Sequence, residues 1–254
     1  MSHPLPPLTV ASRFRGPQAS ANGGYVCGRI AGYLPGPVTV TLRRPPPLDT
    51  PMTVTAESGD TLRVQHGDTL VAQAAPAPES QMLRVPGTAS LAEARAVQGR
   101  AGYFQDPVYP GCFVCGPDRA PGDGLRVFPG PVPGNEVWAA PWTPDASLAN
   151  GDRQVPPEFV WAVLDCPSGI AAAEAAGAGP DLAILLGRMT ARVAELPVVG
   201  EEYRVIAWPI GQDGRKLTAG TALLGPGDGV LAVAHAVWLT VPRSAPDLSG
   251  EGAR

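Results

Sequence analysis

The chain has 254 residues, of which 44% are hydrophobic and only 17% charged, with a formal net charge of −4. This is enough apolar material to bury a real core, in one large domain or in two of about 100 to 150 residues. No basic stripe is visible, which excludes nucleic acid as an expected partner.

Residues 1–12 read as a loose tail ending in a short strand, Val10 to Phe14. Asn22 then caps a short helix whose first turn holds Gly23 and Gly24, whose inward positions are Tyr25, Cys27, Ile30, Ala31 and Leu34, and which stops at Pro35-Gly36. From Pro37 the period changes to two: VTVTLRR, PMTVTAES, TLRVQHG and TLVAQAA are strands with hairpin turns at Gly59-Asp60 and Gly67-Asp68. Pro76 to Gly111 is a Pro-, Ala- and Gly-rich connection with one modest helix signal, Ser90 to Val97.

In the second half GLRVFPG and NEVWAA are strand candidates, followed by Val155 to Ala176, a long apolar helix opened by Pro156 and Pro157. Phe159, Val163, Cys166 and Ile170 lie on one greasy face of it, so it must pack against or inside a sheet. Asp165 is then an anomaly, because a buried carboxylate is costly unless paired or put to use. Four strand segments follow, AILLGRMTARVAE, EEYRVIAWPI, RKLTAGTALLG and GVLAVAHAVWLTV. Both halves are helix first and sheet after, and residues 42–74 lie against 191–236 with one insertion, the mark of an internal duplication. The fold class is α+β, with repeats at 1–78 and 112–254 joined by 79–111. No apolar run reaches the roughly 18 residues of a membrane span, and the opening MSHPLPPLTV lacks basic and apolar signal regions, so a soluble, cytoplasmic chain without membrane contact is expected. Four cysteines do not make a disulfide scaffold, and reduced thiols are the default.

A long helix wrapped by a curled antiparallel sheet, present twice, is the plan of a double hotdog. GCFVCGPDRAPGDGLRVFPG resembles the CFxCGxxNPxGLxL leader of phenylacetate-pathway and THEM-type acyl-CoA thioesterases, with Arg119 where that family has Asn. FRGPQASANGGYVCGRIAG resembles the helix entry of tandem-hotdog, acyl-CoA thioesterase II-like proteins. The resemblance implies an acyl-CoA or other acyl thioester as substrate, no metal and no other cofactor. It also implies a composite site, in which a Gly-rich helix start polarises the carbonyl and a second helix supplies the acid. Two repeats already make a pseudo-dimer, and hotdogs often assemble further into homo-oligomers.

The family places HGG at the helix start and an acid nine residues on. Here Asn22-Gly23-Gly24 matches the first element but is followed at that distance by Ala31, whereas Pro156-Pro157-Glu158 stands in place of HGG and is followed by Asp165. A helix start offers unpartnered N–H donors and the positive end of the dipole, and glycine lets a ligand approach closely, whereas proline removes donors. One complete site therefore comes from Gly23, Gly24 and Asp165, with Asn22, Tyr25 and Trp161 as substrate-binding neighbours. Thr190 stands roughly where the resemblance places a water-orienting Ser or Thr. The family's Gln has no counterpart, with Val237 near its place and His235 close by.

Each residue also has a plainer reading. Pro167 could break the helix and leave Asp165 as a cap, and Asn22 could be an ordinary N-cap. Cys112 and Cys115 lack the further Cys or His pair that structural zinc needs, so a buried inert pair is expected; Cys27 and Cys166 are small core residues. Tyr109, Trp138 and Trp142 are packing residues first and acyl-channel walls second. The class expected is a thioester hydrolase. A non-catalytic acyl-CoA binding module stands as the alternative, and a hotdog hydratase lacks its His and Asp arrangement.

Overall fold

The computed structural model describes residues 3–79, 83–149 and 151–245. In chain order these form β1 (His3–Leu8), α1 (Gly23–Ala31), β2 (Val38–Leu42), β3 (Met52–Ala56), β4 (Leu62–His66), β5 (Thr69–Pro76) and α2 (Leu91–Val97). There follow β6 (Gly130–Pro131), β7 (Trp138–Trp142), α3 (Pro157–Ala175), β8 (Leu182–Val193), β9 (Tyr203–Asp213), β10 (Lys216–Leu224) and β11 (Val230–Pro242). All described strands join one antiparallel sheet in the order β1-β3-β4-β5-β2-β8-β11-β10-β9-β7-β6, open at β1 and β6.

The sheet carries different layers on its two faces. α1 and α3 pack together on one face, over a core that includes Val38, Val40, Met189, Ala191, Ala234 and Trp238. On the other face, α2 lays Ala94 and Val97 over Ile206, Trp208, Ala222 and Leu224. The helix expected at Ser90 to Val97 therefore belongs to the connection but closes part of the sheet; Ser90 and Glu93 form a reciprocal capping box at its start.

α3 is the centre of the molecule. Thirteen of its nineteen residues are buried, so it is covered on all sides rather than on the single greasy face its sequence suggested. Pro167 lies within it and does not break it. Proline removes one N–H and crowds the preceding turn. The turn is held from outside the backbone ladder: Thr221 Oγ1 donates to the Leu164 carbonyl at 2.9 Å and Ser168 Oγ to the Asp165 carbonyl at 2.7 Å. α1, by contrast, has only nine residues, so the two helices are unequal in length.

Two strand expectations are corrected. Val10 to Phe14 is not a strand; Ser12–Phe14 is a 3₁₀ turn, and the strand lies earlier, at His3–Leu8. Its prolines Pro4, Pro6 and Pro7 disguised it, but it is an edge strand, where missing donors are tolerated. GLRVFPG forms no ladder before Gly130, because Arg126 sits at φ 55°, in the left-handed region that interrupts extended backbone. Leu125 and Val127 instead donate backbone hydrogen bonds to the carbonyls of Phe113 (2.8 Å) and Val114 (3.0 Å), which ties this segment to the cysteine-bearing loop.

Candidate active site

Asn22 ends the approach to α1 in extended backbone, and its Oδ1 accepts the Tyr25 N–H at 2.9 Å, the N-cap its sequence position implied. With Oδ1 so engaged, the amide nitrogen points the other way and donates to Asp165 Oδ2 at 2.7 Å. The cap of one helix is thus bonded to the acid of the other, across 143 residues of chain.

The approach depends on glycine. Gly24 and Gly28 are four apart on one face of α1, directly against α3. A Cβ on Gly24 would collide with Asp165 Cβ and lie 2.7 Å from the Trp161 carbonyl oxygen; one on Gly28 would lie 2.6 Å from Glu158 Cα and 2.8 Å from Trp161 Cβ. Gly23 and Gly24 stand in the first turn of α1, where backbone N–H groups have no intrahelical acceptor.

Asp165 is 2% exposed, and its second oxygen, Oδ1, has no hydrogen-bond partner among the described residues. Burial drives its pKa up to about 7, against the opposing pull of the Gly24 N–H and the Asn22 amide. The carboxyl is therefore shared between its charged and neutral forms near neutral pH. It borders a cavity of about 320 Å³ together with Asn22, Gly23, Cys112, Cys166, Tyr109 and Leu186. The exposed guanidinium-bearing residues Arg43, Arg44 and Arg215 stand at the same cavity. Larger depressions of about 1170 and 830 Å³ lie elsewhere and touch none of these groups, so volume is a poor guide to the chemistry here.

The structure brings together Asn22, Gly23, Gly24 and Asp165 but places the remaining predicted residues differently. Thr190 sits on β8 with its Oγ1 2.8 Å from Thr39 Oγ1, opposite His235 in the β8–β11 register. Strand alternation puts it on the face away from α1 and α3, because its neighbours Met189 and Ala191 point into the helix-side core. Tyr25 stacks on Phe14 at 4.2 Å in a cluster with Phe113 and Phe159, and Trp161 fills the space over Gly24 and Gly28; neither borders the cavity. Tyr109 does border it, whereas Trp138 donates to Glu174 Oε2 at 2.6 Å and Trp142 packs against Tyr203.

Sequence reasoning missed the sulfur beside the acid. Cys112 Sγ lies 3.7 Å from Cys166 Sγ and 3.9 Å from the Asn22 amide nitrogen. Hydrogen bonds from the Cys115 and Cys166 thiols, helped by the backbone N–H groups of Cys115 and Val114, hold the Cys112 thiol well below its ordinary pKa. Arg119 fastens this loop in place: its guanidinium donates to the carbonyls of Gly111 and Arg13, each at 2.8 Å, and to Asp123 at 2.9 Å. The departure from Asn in the CFxCG leader thus has a structural use. The signal that could have found the cluster was the adjacency of Asp165 and Cys166, which fastens a thiol to whatever the acid faces.

No protein-family model and no curated protein sequence matches the chain. Among solved structures, the acyl-CoA thioesterase II TesB2 of Mycobacterium marinum superposes with a TM-score of 0.59 at 11% identity, over 93% of this chain and 92% of its own. A tesB protein of Mycobacterium avium subsp. paratuberculosis superposes with a TM-score of 0.55 at 11% identity, over 87% and 88%. The chain resembles the tandem hotdog acyl-CoA thioesterases in fold. At such identities the hotdog likeness extends to the course of the backbone over nearly the whole chain and leaves the side chains of the site to be read on their own.

Proposed function

We propose that this hotdog chain hydrolyses acyl-CoA thioesters at a composite site, with Asp165 of α3 as the acid and Gly23 at the start of α1 as the donor to the thioester carbonyl. The observation that carries the reading is the juxtaposition of a buried carboxylate, one oxygen unpartnered, with the N-terminus of a facing helix at the wall of a cavity. Asn22 orients the carboxylate through Oδ2, and the carboxylate at the cavity wall either takes a proton from water or itself attacks the thioester carbon, expelling thiolate and leaving an anhydride that water then hydrolyses. In the water route the nucleophile adds to the carbonyl carbon and negative charge collects on the carbonyl oxygen. The Gly23 N–H and the positive end of the α1 dipole stabilise that charge, and collapse of the adduct expels the thiolate. Glycine at 23 keeps the approach open, since a side chain there would begin 2.9 Å from Leu186.

The order of the sheet supports a two-repeat division at 1–78 and 112–254. β2 and β8 meet at its middle; outward from them run β5, β4, β3 and β1 on one side and β11, β10, β9 and β7 on the other, each set in the same sequence of returns. Under that division the two half-sites are unequal. α1 keeps its donors and has lost the acid at Ala31, while α3 keeps the acid and opens with Pro156 and Pro157. The arginines at the cavity suit a substrate whose carrier bears phosphates and whose reacting end is apolar, as in acyl-CoA.

Purified protein offered a panel of acyl-CoAs should release free thiol, measured with a chromogenic thiol reagent. Asp165→Asn should lower turnover by at least about 100-fold while the circular dichroism spectrum is kept. Equal turnover in the variant sinks the assignment, and tight acyl-CoA binding without thiol release would make the chain a binding module instead.

A further inference from the structure

We propose that Cys112, Cys115 and Cys166 form a binding site for one thiophilic d¹⁰ cation of the zinc class, with its fourth coordination position facing the cavity. The three sulfur atoms lie within 4.8 Å of one another, and Cys112 and Cys166 are 3.7 Å apart. A tetrahedral ion with metal–sulfur bonds of about 2.3 Å requires sulfurs separated by about 3.8 Å. All three thiols are buried. Weak thiol–thiol contacts are poor compensation for such a cluster in a low-dielectric interior, whereas a cation would satisfy every sulfur at once.

The loop that carries two of them is built as a metal knuckle. Cys112 N–H donates to the Tyr109 carbonyl at 3.0 Å and Gly116 N–H to the Cys112 carbonyl at 2.9 Å, closing a tight turn around C-x-x-C-G. Gly116 is compelled: a Cβ there would lie 2.5 Å from Cys112 N, Cys112 O and Pro110 O. The third ligand comes from α3, a rigid element, and the Asn22 amide reaches both Cys112 (3.9 Å) and Cys166 (3.8 Å), a further donor toward thiolate charge. Three thiolates select soft or borderline ions, zinc or monovalent copper, over magnesium and calcium. Tyr103, whose hydroxyl lies 3.9 Å from Cys115 Sγ, closes the protein side. Cys112 and Cys166 border the cavity, so the remaining position is open to water or a small ligand from that side.

This assignment is independent of the hydrolase reading, and its test does not use activity. The full chain, reduced and stripped with chelator, would be titrated with Zn(II) against a chromophoric competitor, and separately with Co(II) as a spectroscopic probe. About one Zn(II) per chain is expected, with intense near-ultraviolet thiolate-to-Co(II) absorption. Cys115→Ser and Cys166→Ser should each weaken Zn(II) by more than about 100-fold, and Asp165→Asn should leave the stoichiometry unchanged. Zn(II) bound to the wild-type chain should also protect Cys112, Cys115 and Cys166 from alkylation under denaturation-free conditions, a readout that does not depend on the variants folding. Absence of Zn(II) binding, binding that survives both serine substitutions, or a Co(II) complex without sulfur charge-transfer absorption would each overturn the site.

Discussion

At the scale of single residues, the decisive feature is a buried carboxyl group at the wall of a cavity that only partly finds substitutes for its lost hydration. Asp165 has hydrogen bonds on one oxygen and none on the other, and burial lifts its pKa from the ordinary 3.8 to about 7. If it acts as a base, thiol release should rise with pH through an inflection near 7, and a pH–rate profile that is flat between about pH 5 and 9 would contradict that role. Stability should move the opposite way. Between those two pKa values the folded chain keeps a proton that the unfolded chain has lost, so this group's contribution is full below about pH 4 and declines as pH rises to about 7. Urea unfolding should therefore show the protein on the order of 2 to 3 kcal/mol less stable at pH 8 than at pH 5 from this residue alone, and Asp165→Asn should flatten the difference.

At the scale of elements, the site exists because α1 can come unusually close to α3. Gly24 and Gly28 present bare backbone to Trp161, Glu158 and Asp165, and that proximity puts the Asn22 amide within 2.7 Å of the acid. Gly24→Ala should cost about 1 to 3 kcal/mol by overpacking, seen as a lower urea midpoint, and should reduce turnover along with it because the helices must separate. A variant as stable and active as the parent would show that the helices have room to spare. The N-cap at Asn22 and the glycines of the first turn were legible, since capping and backbone access are local properties, whereas α1 ends at Ala31, short of the Leu34 position and Pro35-Gly36 stop expected, and Gly28 was not marked. Thr190 was not legible: its place was inferred by analogy along the chain, whereas the pleat of β8 turns it to the far side of the sheet, against Thr39.

For the whole molecule, the Thr39–Thr190 contact lies where the two halves of the sheet join, at the β2–β8 pairing. One sheet and a shared helix layer give no surface along which the halves could part without exposing core, so thermal unfolding should be a single transition with calorimetric and van't Hoff enthalpies in agreement. Thr190→Val should lower stability by about 1 kcal/mol through the lost hydroxyl pair and leave turnover within about twofold of the parent, as measured by denaturant unfolding and thiol release. The sequence by itself determined the three helices and most of the strands, the hairpin turns, the cap at Asn22 and the oddity of an acid in an apolar helix, because periodicity, turn chemistry and burial cost act over a few residues. Edge strand β1 escaped it because its prolines contradict strand propensity, which an edge position forgives. Only the tertiary structure decided that Cys166 meets Cys112 and Cys115 beside Asp165, and which of the flagged residues share one cavity. Those are contacts between segments tens of residues apart, set by how helices and sheet pack, and no local preference encodes them.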